Sequence, residues 1–183
     1  TRIALGLIAQ AHRRAWGTGD RKLVAVTGSA GKTTTKELIR AALSSVATTH
    51  AAEGSLNNET GVPLTLLGLR AHHKYAVIEM GMRGLGQIEY LTMLATPDVA
   101  VVVNAGTAHM ELLGSTDAIA QAKGEIWQGL APHGAVVRPA DDARLATWAE
   151  KKQPEARTFT FGESAAADVR LTDYRAVGPK HVD

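Results

Sequence analysis

The residues with the clearest chemistry form one short loop, Thr27-Gly28-Ser29-Ala30-Gly31-Lys32-Thr33-Thr34. Its glycines let the backbone turn so that successive N–H groups point at phosphate oxygens, and a helix beginning after the loop adds partial positive charge. Lys32 can reach the terminal phosphates of a nucleotide, and the Thr33 hydroxyl can ligate magnesium. The loop therefore predicts binding of a nucleoside triphosphate with Mg²⁺, and ATP is the expected nucleotide.

The glycine spacing separates this loop from the common phosphate loop. The common loop has a glycine five positions before the second glycine of the pair, where this chain has Val26, and the first glycine here is Gly28. The strand-end aspartate and the Asn-Lys-x-Asp motif with which GTPases read guanine are not apparent. These differences argue against a G protein or an ordinary kinase.

Other polar residues offer chemistry that is less specific. Glu79 ends an apolar segment and suits magnesium as a hard oxygen ligand, although a strand-end carboxylate can equally face water. His109 follows the next apolar segment, but imidazole prefers transition metals, so an orienting role is the alternative. Lys123 lies in a helical pattern, where a lysine is usually solvated. Asn57 and Asn58 are adjacent, which is typical of a turn.

Short β-branched segments alternate with helical patterns and position these residues. Strands are predicted at 23–26, 75–79, 98–103 and 135–137, and helices at 32–43, 88–95, 116–130 (capped by Ser115) and 142–151. This alternation predicts an α/β fold, with a mostly parallel sheet and helices on both faces. Glu79 and His109 would then lie at the carboxyl edge of the sheet, where such sheets bind ligands.

The two ends of the chain have different patterns. The first residues predict an amphipathic helix with one face formed by Ile3, Leu7, Ile8 and Ala11. Near the other end, 158–161 and 169–171 read as strands with no helix between them and predict a small edge sheet.

Composition excludes several classes of protein. The 183 residues suffice for one globular domain, and 45% are hydrophobic and 21% charged. The formal net charge of +2 does not favour nucleic acid or an anionic membrane as a partner, and no apolar run is long enough to span a bilayer. Because the chain has no cysteine, it can form neither a disulfide framework nor a cysteine-based zinc site.

The loop resembles the ATP loop of the Mur ligases, which build the peptide of bacterial cell-wall precursors. Four further segments, 54–63, 78–84, 104–111 and 122–126, resemble family motifs and follow in the family's order, so that the likeness covers roughly 23–142. They resemble in particular those members that add D-alanyl-D-alanine to UDP-N-acetylmuramoyl-tripeptide.

The resemblance implies a cytoplasmic bacterial ligase, expected to be a monomer, which uses ATP to convert the tripeptide carboxylate into an acyl phosphate. The amine of D-alanyl-D-alanine would attack this group, with two Mg²⁺ ions bound. It also implies roles for individual residues. Metal binding falls to Thr33, Glu79, His109 and a carbamylated Lys123, and catalysis to Lys32, His109 and Lys123. Contact with the muramoyl substrate falls to Asn57 and Asn58, and Asn104 is expected beside the reacting phosphate.

The resemblance also implies a domain division, because Mur ligases have three domains. Residues 1–22 are expected to be a linker helix from an N-terminal domain, and 23–183 the central ATP-binding domain, incomplete at its C-terminal end. The family's adenine-contacting segment has no counterpart here. Two alternatives stay open: another ligase of the Mur and folylpolyglutamate superfamily, and a nucleotide-binding piece without catalysis of its own.

Overall fold

The computed structural model describes residues 1–106 and 113–173 and contains a parallel sheet in that part of the chain. Its strands are β1 (Lys22–Thr27), β2 (Thr49–Ala51), β3 (Tyr75–Glu79), β4 (Val99–Val102), β5 (Ala135–Pro139), β6 (Arg157–Gly162) and β7 (Val169–Arg170). They lie side by side in the order β2-β3-β1-β4-β5-β6-β7, and every pairing is parallel. The predicted α/β class is confirmed.

Helices connect most of these strands. They are α1 (Arg2–Trp16), α2 (Lys32–Ser44), α3 (Gly61–Leu67), α4 (Gln87–Ala95), α5 (Thr116–Gly124), a 3₁₀ helix (Glu125–Gly129) and α6 (Ala143–Lys152). The Oγ of Ser115 accepts a hydrogen bond from the Ala118 N–H, so the predicted cap of α5 is confirmed. An uninterrupted helix over 116–130 was wrong, because the chain tightens into the 3₁₀ helix after Gly124. Trp148 packs closely there, and a Cβ on Gly124 would lie 3.0 Å from the Trp148 Cβ.

The core lies on both sides of the sheet. On one side, α1, α3, α4, α5 and α6 contribute to a large apolar cluster that includes Trp127, whose Nε1 donates to the Ala100 carbonyl oxygen at 3.3 Å. On the other side, Ile39 and Leu43 of α2 pack against Val26 and its neighbours on β3 and β4. The central strands are thus covered on both faces, as their continuous apolar sequences require.

The helix α1 turns a different face inward from its apolar sequence stripe. Ile3, Leu7 and Ile8 are 71%, 59% and 61% exposed, whereas the buried positions include Ala9 and Arg13. The small residues on the inner side let α1 approach α4 closely. The charged Arg13 can be buried there because its guanidinium donates to the carbonyl oxygens of Ala95 and Thr96 at the end of α4, at 2.8 and 3.0 Å.

The last two strands do not form a sheet of their own. β6 pairs with β5 and β7 pairs with β6, so both extend the main sheet. A short connection suffices because Asp168 folds back and accepts hydrogen bonds from the backbone N–H and the hydroxyl of Thr160, at 2.7 and 2.8 Å. The two predicted strands are confirmed, and the separate edge sheet was wrong.

No helix in the described part of the chain combines the length and apolarity that crossing a bilayer requires.

Candidate functional site

The predicted phosphate loop (residues 27–34) lies where β1 ends and α2 begins, at the carboxyl edge of the sheet. Thr27 is buried at its start and donates through Oγ1 to the Met80 carbonyl oxygen at 2.8 Å, which ties the loop to the end of β3. Gly31 precedes α2 with φ of +76°, a conformation that favours glycine. A Cβ on Gly28 would lie 3.0 Å from the Val103 Cβ, so the loop also packs against the end of β4.

Asn104 follows β4 and holds the backbone of the phosphate loop. Its Oδ1 accepts hydrogen bonds from the N–H groups of Ser29 and Ala30, both at 3.0 Å, and its Nδ2 donates to the Ala30 carbonyl oxygen at 3.1 Å. These three bonds make Asn104 a support of the loop. A direct contact of Asn104 with substrate stays a prediction.

Glu79 receives one hydrogen bond on each carboxylate oxygen. Thr33 Oγ1 donates to Oε2 at 2.8 Å, and Asn57 Nδ2 donates to Oε1 at 2.7 Å. The residue is only 3% exposed. Gly81 makes this arrangement possible, because a Cβ there would lie 2.9 Å from side-chain atoms of Asn57. The structure thus joins three of the residues singled out in the sequence, and the carboxylate lies directly beside the phosphate loop.

Asn58 makes different contacts from its neighbour Asn57. Its Oδ1 accepts hydrogen bonds from the N–H groups of Thr60 and Gly61, at 3.1 and 2.8 Å, and so caps the start of α3. Asn58 nevertheless lines the cleft described below, and its predicted contact with substrate stays a prediction.

Lys123 is fully buried near the end of α5. Among the described residues its Nζ has no hydrogen-bond partner. Burial, together with the positive charge of Lys32, lowers the pKa of Lys123 to about 8, and the carboxylate of Glu125 opposes this shift. An amine with this pKa is unprotonated in an appreciable fraction of molecules at neutral pH.

Two charged residues near the site were missed in the sequence. Buried Glu125 accepts hydrogen bonds from the N–H groups of Gly86 and Glu89 at the start of α4, and burial raises its pKa. Lys36 is buried on α2. The sequence could have indicated this burial, because Lys36 lies on the same face of the helix as the apolar residues Ile39 and Leu43.

An open cleft of about 580 Å³ adjoins the phosphate loop. Lys32 lines it together with Arg2 and Arg83, and the amide side chains of Asn57, Asn58 and Gln87 are also on its wall. One carboxylate, that of Glu59, also lines it, so the three cations outnumber the anion and, with the amide groups, suit a polar, negatively charged ligand.

The described residues offer a small set of donors to a metal ion. Within residues 1–106 and 113–173, no three His, Asp or Glu side chains form a metal-binding group. His109, predicted as a metal ligand, lies outside the described residues. The Thr33 hydroxyl and the Glu79 carboxylate are hard oxygen donors placed beside a phosphate loop, and this donor set fits Mg²⁺, which usually retains waters and binds phosphate oxygens as well.

Comparison with known sequences gives a consistent family. The model of the Mur ligase middle domain matches residues 26–179. The UDP-N-acetylmuramoyl-tripeptide–D-alanyl-D-alanine ligase of Bacillus subtilis is 39% identical over 173 residues, which is 94% of this chain and 36% of the relative. The chain thus spans about a third of the length of the curated relatives it matches.

Solved structures agree with the sequence comparison. A crystal structure of MurF from Acinetobacter baumannii superposes with a TM-score of 0.84 at 40% identity, over 90% of this chain and 36% of that one. MurF ligase from Thermotoga maritima in complex with ADP superposes with a TM-score of 0.82 at 32% identity, over 95% of this chain and 40% of that one.

Proposed function

The chain belongs to the Mur ligase family, and we propose that it forms the ATP-binding core of a ligase that adds D-alanyl-D-alanine to UDP-N-acetylmuramoyl-tripeptide. The observation that carries the nucleotide-binding part of this proposal is the contact of Glu79 with Thr33, an acidic side chain beside the predicted phosphate loop. The identity to the Bacillus subtilis ligase supports the choice of substrates, and the ADP complex of the Thermotoga maritima relative supports ATP as the nucleotide. Such an enzyme works in the bacterial cytoplasm.

The reaction requires an acyl phosphate. The terminal phosphoryl group of ATP passes to a carboxylate oxygen of the tripeptide, and ADP leaves. The free amine of D-alanyl-D-alanine then attacks the acyl carbon and an amide forms. Inorganic phosphate departs with the carboxylate oxygen it received, and the nitrogen releases one proton to solvent. Backbone N–H groups of the loop and the Lys32 ammonium would hold the phosphates during transfer.

Magnesium would be held by the oxygen donors beside the loop. Glu79 and the Thr33 hydroxyl would serve one ion, and His109 and a carbamate on Lys123 a second, as the family resemblance implies. When bound, Mg²⁺ neutralises phosphate charge that would otherwise repel the incoming carboxylate. Asn57 keeps the Glu79 carboxylate in position through its 2.7 Å hydrogen bond.

Carbamylation of Lys123 accounts for its unusual surroundings. The unprotonated Nζ would attack the carbon of CO₂, a bond would form between nitrogen and carbon, and the nitrogen would release one proton to solvent. The product is an anion with two hard oxygens. Burial without a described partner and a pKa of about 8 support this modification, because CO₂ reacts with the neutral amine.

The cleft beside Lys32 is the proposed place for the tripeptide. Arg2 and Arg83 would neutralise its carboxylates, and Asn57 and Asn58 would contact its polar backbone. We propose that residues 1–22 link to an N-terminal domain and that 23–183 are most of a central ATP-binding domain. The dipeptide site would then lie partly on segments of the whole ligase beyond this chain.

The proposal is tested with the full-length protein that contains this chain. Phosphate release is measured with ATP, Mg²⁺, UDP-N-acetylmuramoyl-tripeptide and D-alanyl-D-alanine, and then with each substrate omitted. We expect release only in the complete mixture, together with the amide product. Ligation of a free amino acid instead, or of glutamate to a folate, would assign the chain to another ligase of the superfamily.

A further inference from the structure

We infer that Lys36 is a positioning residue that orients Glu79 through the loop of residues 52–58, which carries Asn57. The inference rests on the proposed role of Glu79 at the nucleotide and adds a residue to which no role has been assigned. Its basis is the contact set of one buried ammonium group.

The Lys36 ammonium is satisfied mainly by the backbone of that loop. The side chain is 0% exposed, and Nζ donates to the carbonyl oxygens of Ala52 and Gly54 at 2.7 and 2.8 Å. Its third partner is Glu37, with Oε1 at 3.0 Å. Three partners match the three donors of an ammonium group. Since an unpaired buried charge is costly, the two loop carbonyls must remain at Nζ as long as Lys36 stays buried.

The same loop also contacts Glu79 through Asn57. Three residues beyond Gly54, Asn57 donates through Nδ2 to Glu79 Oε1 at 2.7 Å, and its backbone oxygen accepts from the Gly81 N–H, also at 2.7 Å. The loop is thus held by Lys36 at one end and by the end of β3 at the other. Releasing the first attachment would let Asn57 move away from the carboxylate.

The position of Lys36 on α2 explains why this attachment matters for the site. Lys36 lies one helical turn after Lys32 and three residues after Thr33, which donates to the other oxygen of Glu79. One helix therefore carries the phosphate-binding residues at its start and the anchor of the Asn57 loop one turn later. Glu79 therefore has two contacts that depend on α2. One comes directly from Thr33, and the other comes from Asn57, whose loop is anchored by Lys36.

Lys36→Met tests the inference, because methionine retains an unbranched apolar chain and loses all three donors. Residues 52–58 should exchange their amide hydrogens faster, whereas β1 and β3 should keep their protection. The gain in ATP affinity on adding Mg²⁺ should fall by about tenfold, as is typical when a residue supporting a metal ligand is removed. Arg40→Met is the matched control, since Arg40 lies one turn further on and contacts Glu37 at the surface.

A double-mutant cycle separates positioning from general stability. Lys36→Met should have little further effect on the Mg²⁺-dependent gain in an Asn57→Ala background, because the contact through which it acts is already absent. Additive effects, or unchanged exchange of 52–58 in Lys36→Met, would overturn the inference. If Lys36→Met does not fold, Lys36→Arg undergoes the same measurements, since its planar fork differs from an ammonium in hydrogen-bond geometry.

These readouts distinguish the inference from the proposed function. Absence of any Mg²⁺-dependent ATP binding by the unmodified chain would contradict the function. Hydrogen exchange of 52–58 would still decide whether Lys36 holds the loop.

Discussion

Thr33 and Glu79 are 46 positions apart in the sequence, and Thr33 Oγ1 donates a 2.8 Å hydrogen bond to Glu79 Oε2. The two meet because β1 and β3 are parallel neighbours, with Val26 opposite Glu79, so that their carboxyl ends lie at the same edge of the sheet. A hydroxyl at the start of α2 and a carboxylate at the end of β3 thereby become neighbouring hard-oxygen groups, the type of ligand that Mg²⁺ prefers.

Lys32→Ala should abolish nucleotide binding and leave the fold intact. The side chain is only partly buried and lines the cleft, so its loss removes charge at the phosphates and little packing. Titration calorimetry with Mg²⁺-ATP would measure the affinity, and circular dichroism would monitor the fold. Lys151→Ala, at an exposed helical lysine, is the control. If Lys32→Ala bound Mg²⁺-ATP with unchanged affinity, the assignment of the loop to the nucleotide site would be wrong.

Lys123→Ala should cripple turnover of the full-length enzyme. The substitution removes the proposed carbamate oxygens, and a small carboxylate such as formate or acetate should restore part of the activity. Depleting dissolved CO₂ should slow the unmodified enzyme, and bicarbonate should reverse this. Lys123→Ala with undiminished turnover, or an unmodified amine found at Lys123 in the active enzyme, would refute the carbamate.

Lys123→Met should stabilise the chain when CO₂ and Mg²⁺ are absent. The folded-state pKa of Lys123 is about 8, below the ordinary value of 10.5, so the unfolded chain holds this proton to higher pH. Its unfavourable contribution is therefore complete below pH 8 and disappears as the pH rises from about 8 to 10.5. The gain in the free energy of unfolding for Lys123→Met should be at most about 3 kcal/mol at pH 7 and shrink towards pH 10.

Denaturant titrations at several pH values would measure this difference, and Lys151→Met is the control for the loss of an exposed lysine. A difference between Lys123→Met and the unmodified chain that does not change with pH would show that the amine is not destabilised by burial.

The 183-residue chain alone should bind Mg²⁺-ATP and should not ligate at a normal rate. In the proposed reaction, aligning the dipeptide amine with the acyl phosphate would depend on parts of the full-length relatives that this chain does not cover, and alignment can account for several kcal/mol of a barrier. Chromatographic detection of the pentapeptide precursor would decide this. Product formed by the chain alone as fast as by the full-length enzyme would contradict the proposed division into domains.

Local features were readable from the sequence. The Gly28 and Gly31 spacing predicted a tight turn before α2, and Gly31 has the positive φ that such a turn requires. β3 matches the predicted strand at 75–79 because its apolar run is a local pattern. The capping role of Ser115 was likewise decided within four residues. The family and the fold class followed from such short stretches, and the nucleotide loop stays a prediction made from one of them.

Contacts between distant segments were decided by the tertiary structure. Asn104 holds the loop from 74 positions away, Lys36 is buried against carbonyl groups of another segment, and α1 turns Ile3 outward because Arg13 finds acceptors at the end of α4. The partners of a polar side chain and the face that a helix buries depend on what the fold brings beside them. Periodicity along the chain carries no record of those neighbours, whereas the glycines of the loop carry their conformational freedom with them wherever they stand.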